Sequence, residues 1–279
     1  MTTDIPRYPY VHVQVPADQA ELVSDELWTL GAQGVEERDG TTLVRQEEGV
    51  LLVASFADDG DAHHAVAALR HPARIEYVVG DEWREAWRTY FEPTEIGERL
   101  LLRPSWREAP TGERVILTID PGGAFGSGIH ETTRLVLGVI DNLVKGGEQV
   151  LDVGCGSGIL SIAALLLGAQ SAIGIDVDAM AVDVSRENAS INGVADRFRA
   201  STRDIREIPG TFDLVVANIQ APILIEMADA LTQRVGSGGA LVLSGILADQ
   251  ADEVTGAFCA LRHKATPAEN EWRAIVLTR

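Results

Sequence analysis

The chain has 279 residues, 46% of them apolar and 23% charged, enough for one large domain or two smaller ones with real cores and too apolar for a chain disordered throughout. Forty-two acids against 23 bases leave a net charge of −19, which disfavours direct nucleic-acid binding, a process driven by Lys and Arg on phosphate, and suits a basic partner. No apolar run reaches the ~18 residues of a membrane-spanning helix, residues 1–10 hold no apolar leader block, and Cys155 and Cys259 alone fit a reducing cytosol and exclude a disulfide framework or a cysteine zinc site. The expectation is a cytoplasmic protein with no membrane contact and no bound metal.

Residues 1–79 read as a small α+β unit. Tyr10–Val15 alternates as a strand and stops at Pro16. Asp18–Leu30 sets Ala20, Val23, Leu27 and Leu30 at helical spacing, with Gly31 and Gly34 closing it. Thr41–Arg45 and Val50–Phe56 read as strands around a turn, Asp61–Leu69 as a second helix with Ala65, Val66 and Leu69 inward, and Arg74–Val79 as a last strand. This order predicts a ferredoxin-like layout without a catalytic cluster; His63 and His64 read as a solvated pair. Fourteen acids and 5 bases in the first 80 residues make the acidity denser here than in residues 121–279, which carry 19 and 12. A solvated surface kept for solubility explains that as readily as a partner does.

Glu82–Phe91 is helical, with Trp83 and Trp87 on one face, and reads as a junction within a linker over residues 80–93. From residue 94 to 279 the pattern changes. After short strands at Leu100–Arg103 and Arg114–Ile119, apolar runs at Val150–Val153, Ala172–Asp176, Leu214–Ala217 and Ala240–Leu243 alternate with helical stretches at Gly158–Leu167, Ala179–Asn192 and Ala221–Val235. Such alternation predicts an α/β domain whose mostly parallel sheet is covered on both faces.

The sharpest local motif is Val150-Leu151-Asp152-Val153-Gly154-Cys155-Gly156-Ser157-Gly158, a buried strand entering a glycine turn before a helix. Dinucleotide enzymes space their glycines at the first, third and sixth positions. Here they fall at the first, third and fifth, at Gly154, Gly156 and Gly158, after Asp152. That arrangement resembles the S-adenosylmethionine loop of class I methyltransferases, where an acid such as Asp152 can meet the ligand's ammonium group. Asp176, at the end of the next strand, can accept both ribose hydroxyls, a feature shared with NAD enzymes. Asp178 reads as the cap of the following helix and Cys155 as a small turn filler. At a further strand end, Asn218-Ile219-Gln220-Ala221-Pro222 places an amide that either orients an attacking amine or merely begins a helix.

Asp120-Pro121-Gly122-Gly123-Ala124-Phe125-Gly126-Ser127-Gly128-Ile129-His130-Glu131-Thr132-Thr133 resembles the loop of the PrmA family, methyltransferases of the eleventh protein of the large ribosomal subunit. The glycine turn, Gly174–Asp176, Asn218-Ile219, Ser244-Gly245-Ile246-Leu247, Glu82–Trp87 and Glu271-Trp272 follow in that family's order, with Ser127 where threonine is common and a looser sequence after Asn218. The resemblance implies a class I S-adenosylmethionine-dependent methyltransferase domain of Rossmann-like fold preceded by the ferredoxin-like domain. It implies contacts to S-adenosylmethionine from Thr133, Gly154, Gly156, Asp176 and Asn218, and amine positioning by Asn218. It also implies that residues 1–79 recognise a basic ribosomal protein, whose lysine and N-terminal amines a monomeric enzyme methylates. No general base is required; His130 is a candidate, and Phe125 a candidate cover for the cofactor. The rival readings are a class I methyltransferase of another protein or a small amine, and a noncatalytic binding module.

Overall fold

A computed structural model describes residues 7–16, 19–38, 49–79, 91–108, 110–120, 128 and 130–279. The chain divides into two compact units, Met1–Tyr90 and Phe91–Arg279. The predicted strand Thr41–Arg45, the Trp83–Trp87 helix and most of the Asp120–Thr133 loop, Phe125 included, lie outside the described residues.

The first unit runs β1 (Arg7–Val15), α1 (Ala20–Thr29), β2 (Gly34–Arg38), β3 (Val50–Ser55), α2 (Asp59–Ala68) and β4 (Ala73–Val79). Its antiparallel sheet has the order β2-β3-β1-β4, with Tyr10 opposite Ser55 on one side of β1 and Arg7 opposite Val79 on the other. Val11, Val13 and Val15 point inward from β1 and pack with Val23 and Leu27 of α1 and with Ala62 and Ala65 of α2. Asp58 caps α2 by accepting from the backbone N–H of Gly60 and Asp61 at 2.8 and 3.0 Å. His63 and His64 are exposed. The strand β2 was not legible in the sequence. It is a short edge strand, Gly-Val-Glu-Glu-Arg, and charged residues on an edge hide the alternation that marks a half-buried strand.

The second unit opens with a three-stranded sheet of β5 (Thr94–Ile96), β6 (Leu100–Pro104) and β7 (Val115–Ile119). It continues through α3 (Glu131–Leu143), β8 (Gln149–Val153), α4 (Ile159–Leu166), β9 (Ser171–Ile175), α5 (Ala179–Ile191), β10 (Phe198–Ser201), β11 (Phe212–Asn218), α6 (Ala221–Glu226), α7 (Ala228–Arg234), β12 (Val235–Leu247), α8 (Ala251–Ala257), β13 (Arg262–Ala265), β14 (Ala268–Glu269) and β15 (Trp272–Thr278). The large sheet has the order β10-β9-β8-β11-β12-β15-β13, with β14 pairing β15. Strands β8 to β12 are parallel; β15 runs against β12 and β13. Leu151, Val153, Val215, Ala217, Leu241, Leu243, Ile275 and Leu277 form one face of this sheet and pack with Leu224 of α6, Leu231 of α7, Val254 of α8 and Phe258 just after it. Val136, Leu137 and Ile140 of α3 are buried as well, each contributing ~1.5–3 kcal/mol by leaving water. The helix expected over Ala221–Val235 is two helices, because Met227 leaves helical geometry at φ −90°, ψ 4°.

Candidate active site

Parallel strands end at one edge of a sheet, and here the edge collects the residues singled out by sequence. The strand order reverses between β8 and β11, the place where doubly wound sheets bind ligands. At that point β8 delivers Gly154 and β11 delivers Asn218 and Ile219. Gly154 has φ +74°, and a Cβ there would run into Cγ2 of Ile219, so the two strand ends touch only because the residue is glycine. The N–H groups of Gly154 and Cys155 donate to the Ile175 carbonyl at 2.8 and 3.0 Å, and Gly158 N–H closes the turn onto the Cys155 carbonyl at 2.8 Å. Cys155 is buried, and burial pushes its thiol well above the ordinary range, so it fills the turn and is no nucleophile.

Asp176 stands half-buried at the end of β9. Its Oδ2 accepts from Gly156 N–H at 2.8 Å and its Oδ1 from Asp178 N–H at 3.0 Å. A carboxylate offers about four acceptor sites, so roughly two remain for ligand hydroxyls. Val177 beside it is fully exposed, an apolar side chain at the sheet edge. Asp178 caps α5 through Met180 N–H at 2.8 Å, as expected from sequence.

Asp152 departs from its expected place facing a ligand. Its carboxyl is inaccessible to solvent: Oδ2 accepts from Ser161 N–H at 3.2 Å and Ser161 Oγ–H at 2.9 Å, while Oδ1 is buried without a hydrogen-bond partner. Burial pushes this carboxyl up to about 7. A carboxyl whose folded value exceeds its unfolded one stabilises most at low pH, and that contribution is lost as pH rises from about 4 through 7. Asp152→Asn keeps an acceptor for Ser161 and cannot ionise. Relative to wild type, the variant should therefore gain about 4 kcal/mol between pH 4 and 8 in denaturant melts, three pK units at 1.36 each. A stability difference independent of pH would contradict this assignment.

Asn218 does not cap the helix that follows. Gln220 occupies the cap position of α6. The Asn218 Nδ2 instead donates to Thr133 Oγ1 at 3.4 Å, across 85 residues of sequence, leaving its Oδ1 as an acceptor. Thr133 lies buried in the first turn of α3. Behind them Gly245, at φ +82°, faces the backbone of Ile219 so closely that any side chain would collide with it. His130 is a helix cap: its Nδ1 accepts from Thr132 N–H at 3.3 Å, and its ring meets Trp272 edge-on at 5.0 Å. Among the described residues, no three or more His, Cys, Asp or Glu side chains are grouped to hold a metal.

Two site residues were missed from sequence. Asn188 Oδ1 accepts from Asp120 N–H at 2.9 Å, and its Nδ2 donates to the carbonyls of Asp120 and Ser157 at 2.9 and 3.0 Å. One turn later Asn192 makes the same paired bonds to Thr118, at 2.9 and 2.6 Å. The amides of Asn188 in α5 and Asn192 at its C-terminal cap thus act as a strand beside β7, and Asn188 ties that strand end to the glycine turn. Their spacing of four in an otherwise ordinary helix was the available signal.

A parallel sheet whose last strand inserts antiparallel beside the fifth, with a glycine turn at the reversal point and an acid at the end of the neighbouring strand β9, is the arrangement of class I methyltransferases. The family model for ribosomal protein L11 methyltransferase (PrmA) matches residues 7–279. The chain is 44% identical over 268 residues to the ribosomal protein L11 methyltransferase of Sorangium cellulosum, covering 92% of this chain and 84% of that one. It is 35% identical to the protein of that name from Pelobacter propionicus, over 100% of this chain and 99% of that one. A crystal structure of ribosomal protein L11 methylase from Lactobacillus delbrueckii subsp. bulgaricus superposes with a TM-score of 0.63 at 29% identity, covering 68% of this chain and 98% of that one. The chain belongs to the ribosomal protein L11 methyltransferase family. No described helix is long and apolar enough to cross a membrane.

Proposed function

We propose that this chain transfers methyl groups from S-adenosylmethionine to lysine side-chain and N-terminal amines of ribosomal protein L11. The observation that carries the reading is the meeting of Asn218 and Thr133 at the sheet edge that also holds the glycine turn and Asp176.

The residues present suit a sulfonium nucleoside. Gly154, at φ +74°, lets the backbone turn sharply where the end of β8 meets Ile219, which shapes the loop assigned to the ligand. Asp176 has acceptor capacity left for a pair of ribose hydroxyls, and exposed Val177 offers an apolar surface for a base. Asp152, turned inward to Ser161, is assigned no contact with the ligand. Gly154, Gly156, Asp176, Thr133 and Asn218 are the residues assigned to cofactor contact.

S-Adenosylmethionine supplies a methyl already activated by the sulfonium charge. What remains for the chain is to position and desolvate the nucleophile. The amine must be neutral to attack. At pH 7.5 a lysine, at pKa ~10.4, is about 3 kcal/mol harder to deprotonate than an α-amine at ~7.7–8.0. Asn218 Oδ1 accepts an N–H of the neutral amine and so turns its lone pair away from itself, toward the methyl.

The first unit is assigned to substrate recognition. Its sheet order β2-β3-β1-β4 with two helices supports a ferredoxin-like layout, and its excess of acids suits a basic protein. Residues 80–93 serve as the linker. A chain starting at Glu92 should bind S-adenosylmethionine normally and methylate the ribosomal protein poorly. Association of the full chain with its substrate should weaken as salt rises from roughly 50 to 300 mM. Intact methylation after truncation would remove the recognition role; association indifferent to salt would show that shape rather than charge carries it.

The reading as a whole is tested with labelled S-adenosylmethionine and purified large-subunit proteins. Label in ribosomal protein L11, mapped to lysine and terminal amines, is expected. Label only in other proteins or small amines would favour a different amine substrate, and cofactor binding without any transfer would reduce the chain to a binding module.

A further inference from the structure

We propose that the turn joining β14 to β15 is a positioning element of the active centre, holding the first turn of α3 and, through Thr133, the amide of Asn218. The inference rests on the assignment of Asn218 made above. It starts from three contacts in which Asn270 of the turn and the strand residues that flank it, Glu269 and Trp272, grip the start of α3. Arg134 Nε donates to Glu269 Oε1 at 3.1 Å, and its Nη2 donates to the same oxygen. Asn270 Nδ2 donates to Glu131 Oε1 at 3.3 Å. Trp272 meets the ring of His130 edge-on, with centroids 5.0 Å apart.

Thr132 and Thr133 sit inside this clasp. Ser244 adds a tie from the sheet, its Oγ lying 3.4 Å from the Thr132 carbonyl and 3.3 Å from that of Arg273 in β15. In the ladder between β11 and β12, Ser244 is also the residue opposite Asn218. Sheet end, helix start and C-terminal turn are therefore linked around one point. The bond from Asn218 to Thr133, at 3.4 Å, is near the limit at which a hydrogen bond still directs a side chain, so a small shift of the α3 turn would release the amide. Asn270 carries a further mark. It is the one non-glycine among the described residues with positive φ, +52°, a geometry that glycine adopts with less strain. Its side chain supplies what glycine cannot, the bond to Glu131.

Because Glu269 and Asn270 reach Asn218 only through other residues, they are positioning residues, and their effect must depend on Asn218. The test is a double-mutant cycle between Glu269→Ala and Asn218→Ala, read as kcat at saturating S-adenosylmethionine and ribosomal protein, with amide hydrogen exchange as a readout independent of turnover. Glu269→Ala should lower kcat about 10-fold in the wild-type background and less than about 2-fold when Asn218 is already alanine, the signature of coupled sites. Glu269→Gln, which keeps the acceptor, should recover kcat to within about 3-fold of wild type. Exchange at the Thr132–Arg134 amides should quicken about 10-fold while β8 and β11 are unaffected.

Equal losses in both backgrounds, unchanged kcat, or unchanged exchange would each overturn the proposal while leaving Asn218 in its role. Normal kcat in Asn218→Ala alone would instead remove the role of Asn218, and this inference with it. If Glu269→Ala does not fold, Asn270→Gly runs the same cycle, since it deletes the contact to Glu131 and retains the backbone geometry of the turn.

Discussion

Asn218→Ala is expected to lower kcat by about 100-fold at saturating cofactor and substrate, the scale on which a misaligned reacting group slows a two-reactant step. The expectation follows from how the amide is held. Its nitrogen reaches Thr133 Oγ1 in a long bond of 3.4 Å, which turns the amide so that Oδ1 is left as an acceptor. Alanine removes the acceptor, and a neutral amine would then rotate freely in the site. The fold should tolerate the change. Asn218 ends β11 with its backbone paired to Ser244, and the residues below it, Val215 to Ala217, carry the packing. Thermal unfolding within a few degrees of wild type, equivalent to about 1 kcal/mol, should accompany the loss of turnover. Normal kcat in this variant would mean that Asn218 is only a strand end.

Asp176→Ala should weaken S-adenosylhomocysteine binding by roughly 10- to 150-fold, since hydrogen bonds to a charged acceptor are worth ~1.5–3 kcal/mol. Two effects add in this direction. The variant loses the acceptor sites assigned to the ribose hydroxyls. It also releases Gly156 N–H, whose bond to Oδ2 holds the glycine turn in shape. Asp176→Asn separates them: its single carbonyl oxygen can still serve one N–H, so the turn is better preserved while acceptor capacity falls. Calorimetry should place it between wild type and alanine. Unchanged affinity in a folded Asp176→Ala protein would remove Asp176 from the cofactor site.

The parts of this site that were legible in the sequence are those built from chain neighbours. A strand followed by glycines at alternate positions is a local pattern, and so are an acid at the next strand end and a capping aspartate two residues later. These imply Gly154, Gly156, Asp176 and Asp178 before any tertiary contact is known. Asn218 was legible as a residue at a strand end, but two roles stayed open, because the choice between cap and orienting amide depends on Thr133, 85 residues away. Asn188 and Asn192 showed only their spacing of four, and their role was hidden for the same reason, since their partners at Asp120 and Thr118 lie 68 and 74 residues back. Helix α3 was absorbed into the loop motif that precedes it, although Val136, Leu137 and Ile140 give it an apolar face. Asp152 shows the opposite failure. Its place before the turn suggested a residue facing a ligand, yet a strand alternates its faces, and this position turns the carboxyl inward to Ser161.

The account stands most directly on the intact mass of purified, unmethylated ribosomal protein L11 after incubation with this protein and S-adenosylmethionine. The predicted result is a mass increase by whole methyl groups, carried by lysine and N-terminal amines on peptide mapping and reduced about 100-fold in initial rate by Asn218→Ala. An unmodified mass, under conditions where calorimetry shows S-adenosylmethionine bound to the wild-type chain, would contradict it.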